Sequence, residues 1–218
     1  DDAIDKITDR LDSQYLSGPD RVAMEGTLAD EQAQRIDHLE AAEQALRRVL
    51  ADEFQRDNVY AYIDLTLVLN AMGGRDDEVI TTGHRAIELL DASNAIWRKI
   101  QQNPNRSPSA KIEGQLKIDN NLAKEKLLRD LVATVEYNRG DMEAYLDEIA
   151  RMEARQLMTE AQYYNRAEVY AELGETAKAI VDLETFLRMR ARYMEYDDDE
   201  LAPMAFRRLD ELRIKLAR

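Results

Sequence analysis

Two histidines and one dense run of acids are the side chains from which chemistry would have to be built. His38 and His84 stand on different predicted helices, beside surface positions, and neither has a motif around it. The chain contains no cysteine, which excludes disulfides, thiolate nucleophiles and cysteine-based zinc sites. It has no glycine-rich phosphate loop, no HExxH and no GxSxG. The acidic run EYDDDE, Glu195 to Glu200, is the nearest approach to a cation site. It lacks the alternating ligand spacing and central glycine of a calcium loop. It reads instead as a solvated loop in which Asp198 or Asp199 caps the helix that follows, with Pro203 in the first turn. NRS at Asn105 fits the glycosylation sequon, with Pro108 just after it. No catalytic residue, no metal site and no cofactor are expected.

Charge narrows the partners. The formal net charge is −14 over 218 residues, and the acids are spread along the chain, as on a solvated helical surface. Phosphate backbones and anionic membrane surfaces are repelled, so nucleic acid is not expected as a partner. No stretch approaches the roughly 18 apolar residues of a membrane span. Eight of the 30 basic residues are lysine, an arginine bias that suggests a bacterial source. The first residues are Asp1 and Asp2, which points to removal of a signal or lipoprotein leader or to an artificial boundary, and leaves cytoplasm and periplasm both open.

The elements that would position any site are helices. Gly and Pro are few, at 8 and 4, and runs of Val, Ile and Thr are nearly absent. Ala3, Ile4, Ile7, Leu11 and Tyr15 share one helical face, ended by Ser17, Gly18 and Pro19. Residues 20–28 read as a connection, and a long helix follows from Asp30 to Phe54. Asp57 and Asn58 break it and cap a helix over 59–72, which Gly73 and Gly74 stop. The next starts near Asp76 and its stripe, Ile80, Gly83, Ile87, Leu90, Asn94 and Trp97, carries it to about Gln102. Asn103 to Ser109 is a loop. A long helix over 110–138 has Ile112, Leu116, Ala123, Leu127, Leu131 and Val135 as its stripe, with Asn120 and Asn121 as a place to fray or bend. Shorter helices follow over 142–155, 160–173 and 176–194, and a last one after the acidic loop, with Leu201, Ala205, Leu209, Leu212 and Leu216 on its face.

The turn glycines repeat. Gly140 and Gly174 are 34 residues apart, and Gly73 and Gly140 are 67 apart, close to twice that. Before Gly174 come Tyr163, Ala167 and Tyr170, bulky, small and bulky; before Gly73 come Tyr62, Thr66 and Leu69. After Gly174, Ala179 stands where the second helix of the hairpin comes closest to the first, and Leu183 and Phe186 face the next helix. Helical hairpins with this period resemble the tetratricopeptide-repeat family. The resemblance is strongest over Glu160 to Leu187 and fair over Val59 to Ile87, where Val79 replaces the small residue. It is weaker over Lys126 to Glu153, where Tyr145 fills the close-approach position and Arg129 replaces a bulky apolar one.

The resemblance implies an all-α, right-handed solenoid of antiparallel hairpins, about nine helices in one domain over 1–218. Within it, N-terminal helices span 1–56, central repeats with extended helices 57–158, and a C-terminal repeat with its capping helix 159–218. It also implies a concave groove lined by first helices, with Tyr60, Ile63, Leu67 and Asn70, then Asp130, Thr134, Tyr137 and Asn138, then Tyr164, Glu168 and Ala171 facing it. No Lys or Arg stands at the positions with which the family clamps a C-terminal carboxylate. Tyr60, Tyr137 and Tyr164 form either an aromatic groove or packing between hairpins, and Asp130 and Glu168 give that groove a preference for a basic segment. Trp97 is either core or the anchor of a partner or second copy on the long helices. The expected function is a non-catalytic protein-interaction scaffold; the alternative is a cell-envelope accessory protein that grips a small molecule or a transporter component in a deep pocket.

Overall fold

The computed structural model describes residues 18–191 and 201–217. All regular structure among the described residues is helical: α1 Gly18–Ala51, α2 Val59–Met72, α3 Asp76–Gln102, α4 Pro108–Asn138, α5 Met142–Ala154, α6 Glu160–Glu172, α7 Thr176–Arg190 and α8 Leu201–Leu216. The helix expected from Ala3 to Tyr15 and the acidic loop Glu195 to Glu200 lie outside the described residues. None of the described helices is long and apolar enough to cross a membrane. The chain forms two compact units, Asp1–Asn121 and Leu122–Arg218.

In the first unit α2 and α3 follow the expected boundaries. Asn58 caps α2, its side-chain oxygen accepting from the amides of Tyr60 at 3.1 Å and Ala61 at 3.2 Å. Gly73 and Gly74 take φ of +72° and +67°, a conformation that releases the chain from the helix. Leu65, Thr66 and Leu69 of α2 are buried with Val79, Ala86 and Ile87 of α3, and the hydroxyls of Thr66 and Thr82 sit 3.0 Å apart across the hairpin. Residues 20–28 are helical rather than a connection. Pro19 lies in the first turn of α1 as described, where the amides have no intrahelical partner to lose. At its other end α1 stops at Ala51, three residues before the expected Phe54, because the Asp52 side chain takes the Phe54 amide at 2.8 Å.

The stripe expected on α4 holds at its end, where Val135 is buried, and is corrected before it. Ile112, Leu116 and Leu127 are 63%, 64% and 50% exposed, and the buried side of the helix instead carries Gly114, Ile118, Asn121, Glu125, Leu128 and Val132. Asn121 lies within the continuous helix. It is buried and donates to Asn94 Oδ1 at 2.9 Å and Ser93 Oγ at 3.2 Å. Polar groups occupy this face because each meets a partner there, which removes the penalty that apolar patterning assumes.

In the second unit Gly140 and Gly174 both have φ of +78°. Asp141 caps α5 by accepting from the Ala144 amide at 3.1 Å, and Thr159 with Gln162 forms a capping box on α6. Ala167 and Ala179 have no exposed surface and share a core with Leu183 and Phe186 of α7 and with Ala205, Leu209 and Leu212 of α8. Tyr145, at the close-approach position of the preceding hairpin, is buried with Ile149, Met152 and Val169.

Two buried ion-pair networks join these helices. Arg129 donates through Nε to Glu125 at 2.8 Å and through Nη1 to Glu148 at 2.6 Å, while Arg155 and Arg151 hold the other oxygens of the two acids at 2.6 and 2.8 Å. Arg166 of α6 makes a two-point bond to Asp182 of α7, at 2.7 and 2.8 Å, and reaches Glu153 of α5 at 2.7 Å. Glu148 and Asp182 each follow a turn glycine by eight residues, so both hairpins bury an acid at the same place.

Gly174→Val costs about 1–3 kcal/mol. A Cβ on Gly174 meets nothing within 4 Å, so the cost is one of backbone conformation alone, and Gly174→Asn, which tolerates positive φ, is the milder change. Ala179→Leu forces extra volume against Ala167 and Phe186 and costs about 1–3 kcal/mol. Urea midpoints of the three variants check both, and equal midpoints for Val and Asn at 174 would remove the backbone argument.

Ion pairs set the acid response. Glu43 is held below its ordinary value of 4.5 by its bond to Arg47, Glu78 by Arg75, and Glu153 by Arg166. A carboxyl whose folded pKa is depressed stabilises the fold above its unfolded value and loses that contribution as pH falls through the folded one. The melting temperature therefore holds from neutrality to about pH 5 and declines below it, as calorimetry across pH 7 to 3 will show.

Candidate functional site

The groove positions fall in both units. Tyr60 and Asn70 stand exposed on α2 in the first, Tyr60 at 57%, while Ile63 beside them is buried and unavailable to a ligand. The seven from Asp130 to Ala171 lie in the second unit. Tyr164 and Glu168, one turn apart on α6, line a shallow cavity of about 330 Å³ together with Met204, Arg207, Arg208 and Glu211 of α8. The Tyr164 ring lies 5.3 Å from that of Phe186, tilted by 57°, so one face of it belongs to the core and the rest remains at the cavity. Burial first, and the neighbouring Glu168 carboxylate second, push the Tyr164 phenol above its usual range, so it is a neutral donor and acceptor at physiological pH.

Glu168 does not give this cavity negative character. Arg208 approaches it twice, Nη2 to Oε2 at 3.1 Å and Nε to Oε1 at 3.3 Å, and reaches Glu211 at 3.3 Å through Nη1. Two guanidinium groups and two carboxylates line the cavity and cancel. The expected preference for a basic segment is corrected at this point. The family-based register covered only first helices, and the compensating arginine arrives from α8, 40 residues further along the chain.

Asp130 of α4 is exposed and accepts from Gln162 Nε2 at 2.7 Å, which ties the side of α4 to the first turn of α6. Tyr137 and Asn138 close the end of α4, Tyr137 about 10 Å along the helix from Asp130 at 1.5 Å per residue. Tyr137 is 38% exposed and meets buried Tyr145 edge-on, ring centres 5.6 Å apart, so it too is half packing and half surface. Among the described contacts none joins Tyr137 or Asn138 to Tyr164. Ala171, also expected to face the groove, is buried.

A second cavity, about 350 Å³, lies over the Arg166 network, with Tyr170 beneath Lys178 Nζ at 5.0 Å and Arg166 at 5.9 Å. Its charged groups are spent on one another: Arg166 on Asp182 and Glu153, and Lys178 on Glu175. Both cavities open broadly to solvent. His38 is exposed on α1 and His84 lies part-buried on α3, and among the described residues no group of three His, Asp or Glu is gathered as a metal would require. Met204, Arg207, Arg208 and Glu211 are the lining residues that sequence reasoning missed; the adjacent cations Arg207 and Arg208 on the last helix were the available signal. Comparison with protein-family models, with curated proteins and with solved structures yields no match to this chain.

Proposed function

We propose that the protein is a non-catalytic interaction scaffold built from tetratricopeptide-like hairpins, and that it holds a segment of a protein partner against α6 and α8. The observation that carries this reading is the open cavity at Tyr164. The Tyr164 ring supplies apolar area at low rotamer cost, the Met204 thioether adds an adaptable apolar contact, and charges that sum to zero surround them. An anchor side chain from a partner fits such a depression. A small-molecule carrier needs an enclosed pocket that removes most of its ligand from water, and neither cavity has that form.

Because the lining charges cancel, binding here depends little on ionic strength. The test is quantitative capture from the source organism's extract by wild type, Tyr164→Ala, Tyr137→Ala and Trp97→Ala, with folding checked by circular dichroism. Proteins retained by wild type and Trp97→Ala but reduced at least about tenfold by Tyr164→Ala, a loss of roughly 1.4 kcal/mol, are the expected result. A retained set unchanged by Tyr164→Ala and Tyr137→Ala would sink the reading.

A further inference from the structure

One helix of the first unit has no charged face. α2 carries a single charged residue among its 14, Asp64. A helix that is apolar all round is normally covered all round. On one side Leu65, Thr66 and Leu69 are buried in the hairpin with α3. On another, Tyr60 and Leu67 are 57% and 37% exposed, and Asp64 and Ala71 are exposed with them. Successive steps between these four residues are four, three and four, so they form one row about 16 Å long, the spacing on which a second helix packs. Asp64 is the only charge in the row and takes part in no described ion pair or hydrogen bond. Its surroundings share its sign. α3 passes the start of α2 near Arg85, which bonds Asp57 and Glu88. From Asp52 to Glu88, the stretch that holds α2 and the part of α3 beside it, there are eight acids and three arginines. Arg75 and Arg85, and Arg47 from α1, are each held by two carboxylates.

We propose that this row on α2 is a docking surface for an amphipathic helix of a partner protein with a basic residue set among its apolar ones. Tyr60 and Leu67 supply the contact that excludes water, and Asp64 between them pairs with the partner's cation in that drier setting. An acidic helix meets Asp64 and the surrounding carboxylates and is repelled. A second copy is disfavoured in the same way, because a two-fold contact sets the row against itself and one acidic hairpin against another. The surface lies in the first unit, and it stands or falls without the cavity at Tyr164.

The chain has no cysteine, so Asn70→Cys, exposed at the edge of the row, carries a single environment-sensitive dye on the full chain. The probe is a designed helix of about 18 residues with leucines along one face, a single arginine among them and glutamine elsewhere. Versions with glutamine or glutamate in place of the arginine are titrated in parallel. The arginine helix should give a saturable response, about fivefold tighter than the glutamine helix, with the glutamate helix weakest. Asp64→Lys should invert that order, and Leu67→Ala should weaken all three at least about fivefold. Both residues are exposed, so Tm should stay within a few degrees of wild type. Tyr164→Ala should leave the response unchanged. No saturable response would overturn the proposal, as would an unchanged order in Asp64→Lys, which would mean apolar contact without charge selection. Loss of the response in Tyr164→Ala would place the probe at the cavity instead. Self-association that rises with concentration and vanishes in Leu67→Ala would assign the row to a second copy, and either result overturns the proposal.

Discussion

Arg129→Met costs about 3–5 kcal/mol at neutral pH. The methionine replaces the aliphatic stem but leaves two acids behind, Glu125 with no exposed surface and Glu148 with almost none. In the native protein burial disfavours the charge on Arg129, and its bonds to Glu125 and Glu148 outweigh that, holding the guanidinium above its usual value. Without it each acid keeps one arginine, Arg155 or Arg151, and Arg151 is half in solvent and screened. The stranded carboxyls then take up protons more readily than they do unfolded. An acid whose folded pKa is raised destabilises the fold as pH rises through its range and relieves it on acidification. The difference between variant and wild type should therefore narrow as pH drops from 7.5 to 5.5. Urea unfolding at the two values decides: a pH-independent penalty under about 1 kcal/mol would mean that Arg129 behaves as a surface residue.

That network also shows what the sequence could and could not disclose. Turns were legible because one residue suffices: Gly73, Gly140 and Gly174 have positive φ, and few side chains accept that conformation. The cap at Asn58 and both ends of α3 follow from equally local chemistry. The buried face of α4 was misread because periodicity counts apolar residues, and the face that turns inward carries Asn121, Glu125 and Arg129. A legible signal existed, namely Glu125 and Arg129 one turn apart and the acids Glu148 and Asp182 a repeat apart. Pro19 misled in the opposite sense, since proline stops a helix from within but is tolerated in its first turn. At the candidate site Tyr164 and Glu168 were found by register, whereas the neutralising Arg208 was not, because it comes from a helix that no repeat position specifies.

Arg166→Met is the sharper test of whether a buried charge organises this fold. Arg166 is the only described side chain that bonds α5, α6 and α7 together, through Glu153, its own helix and Asp182. The two limbs differ in weight. Glu153 is half exposed, so water takes over when the arginine leaves. Asp182 is 4% exposed and loses both bonds to its carboxylate. Arg166→Met alone should cost about 3–5 kcal/mol, with stacking over Tyr163 and Tyr170 a smaller part of it, roughly 0.5–1 kcal/mol for each ring. Adding Asp182→Leu removes the stranded charge and fills its place with apolar volume. Because the desolvation of two ions is costly in itself, an apolar pair of similar size recovers most of the loss, to within about 1 kcal/mol of wild type. Urea unfolding of the single and double variants separates two roles. A double variant as unstable as the single one would show that the helices depend on the geometry of the guanidinium fork itself. Recovery with a broadened, less cooperative transition would instead show that the pair selects one packing of α5, α6 and α7 from several of similar energy.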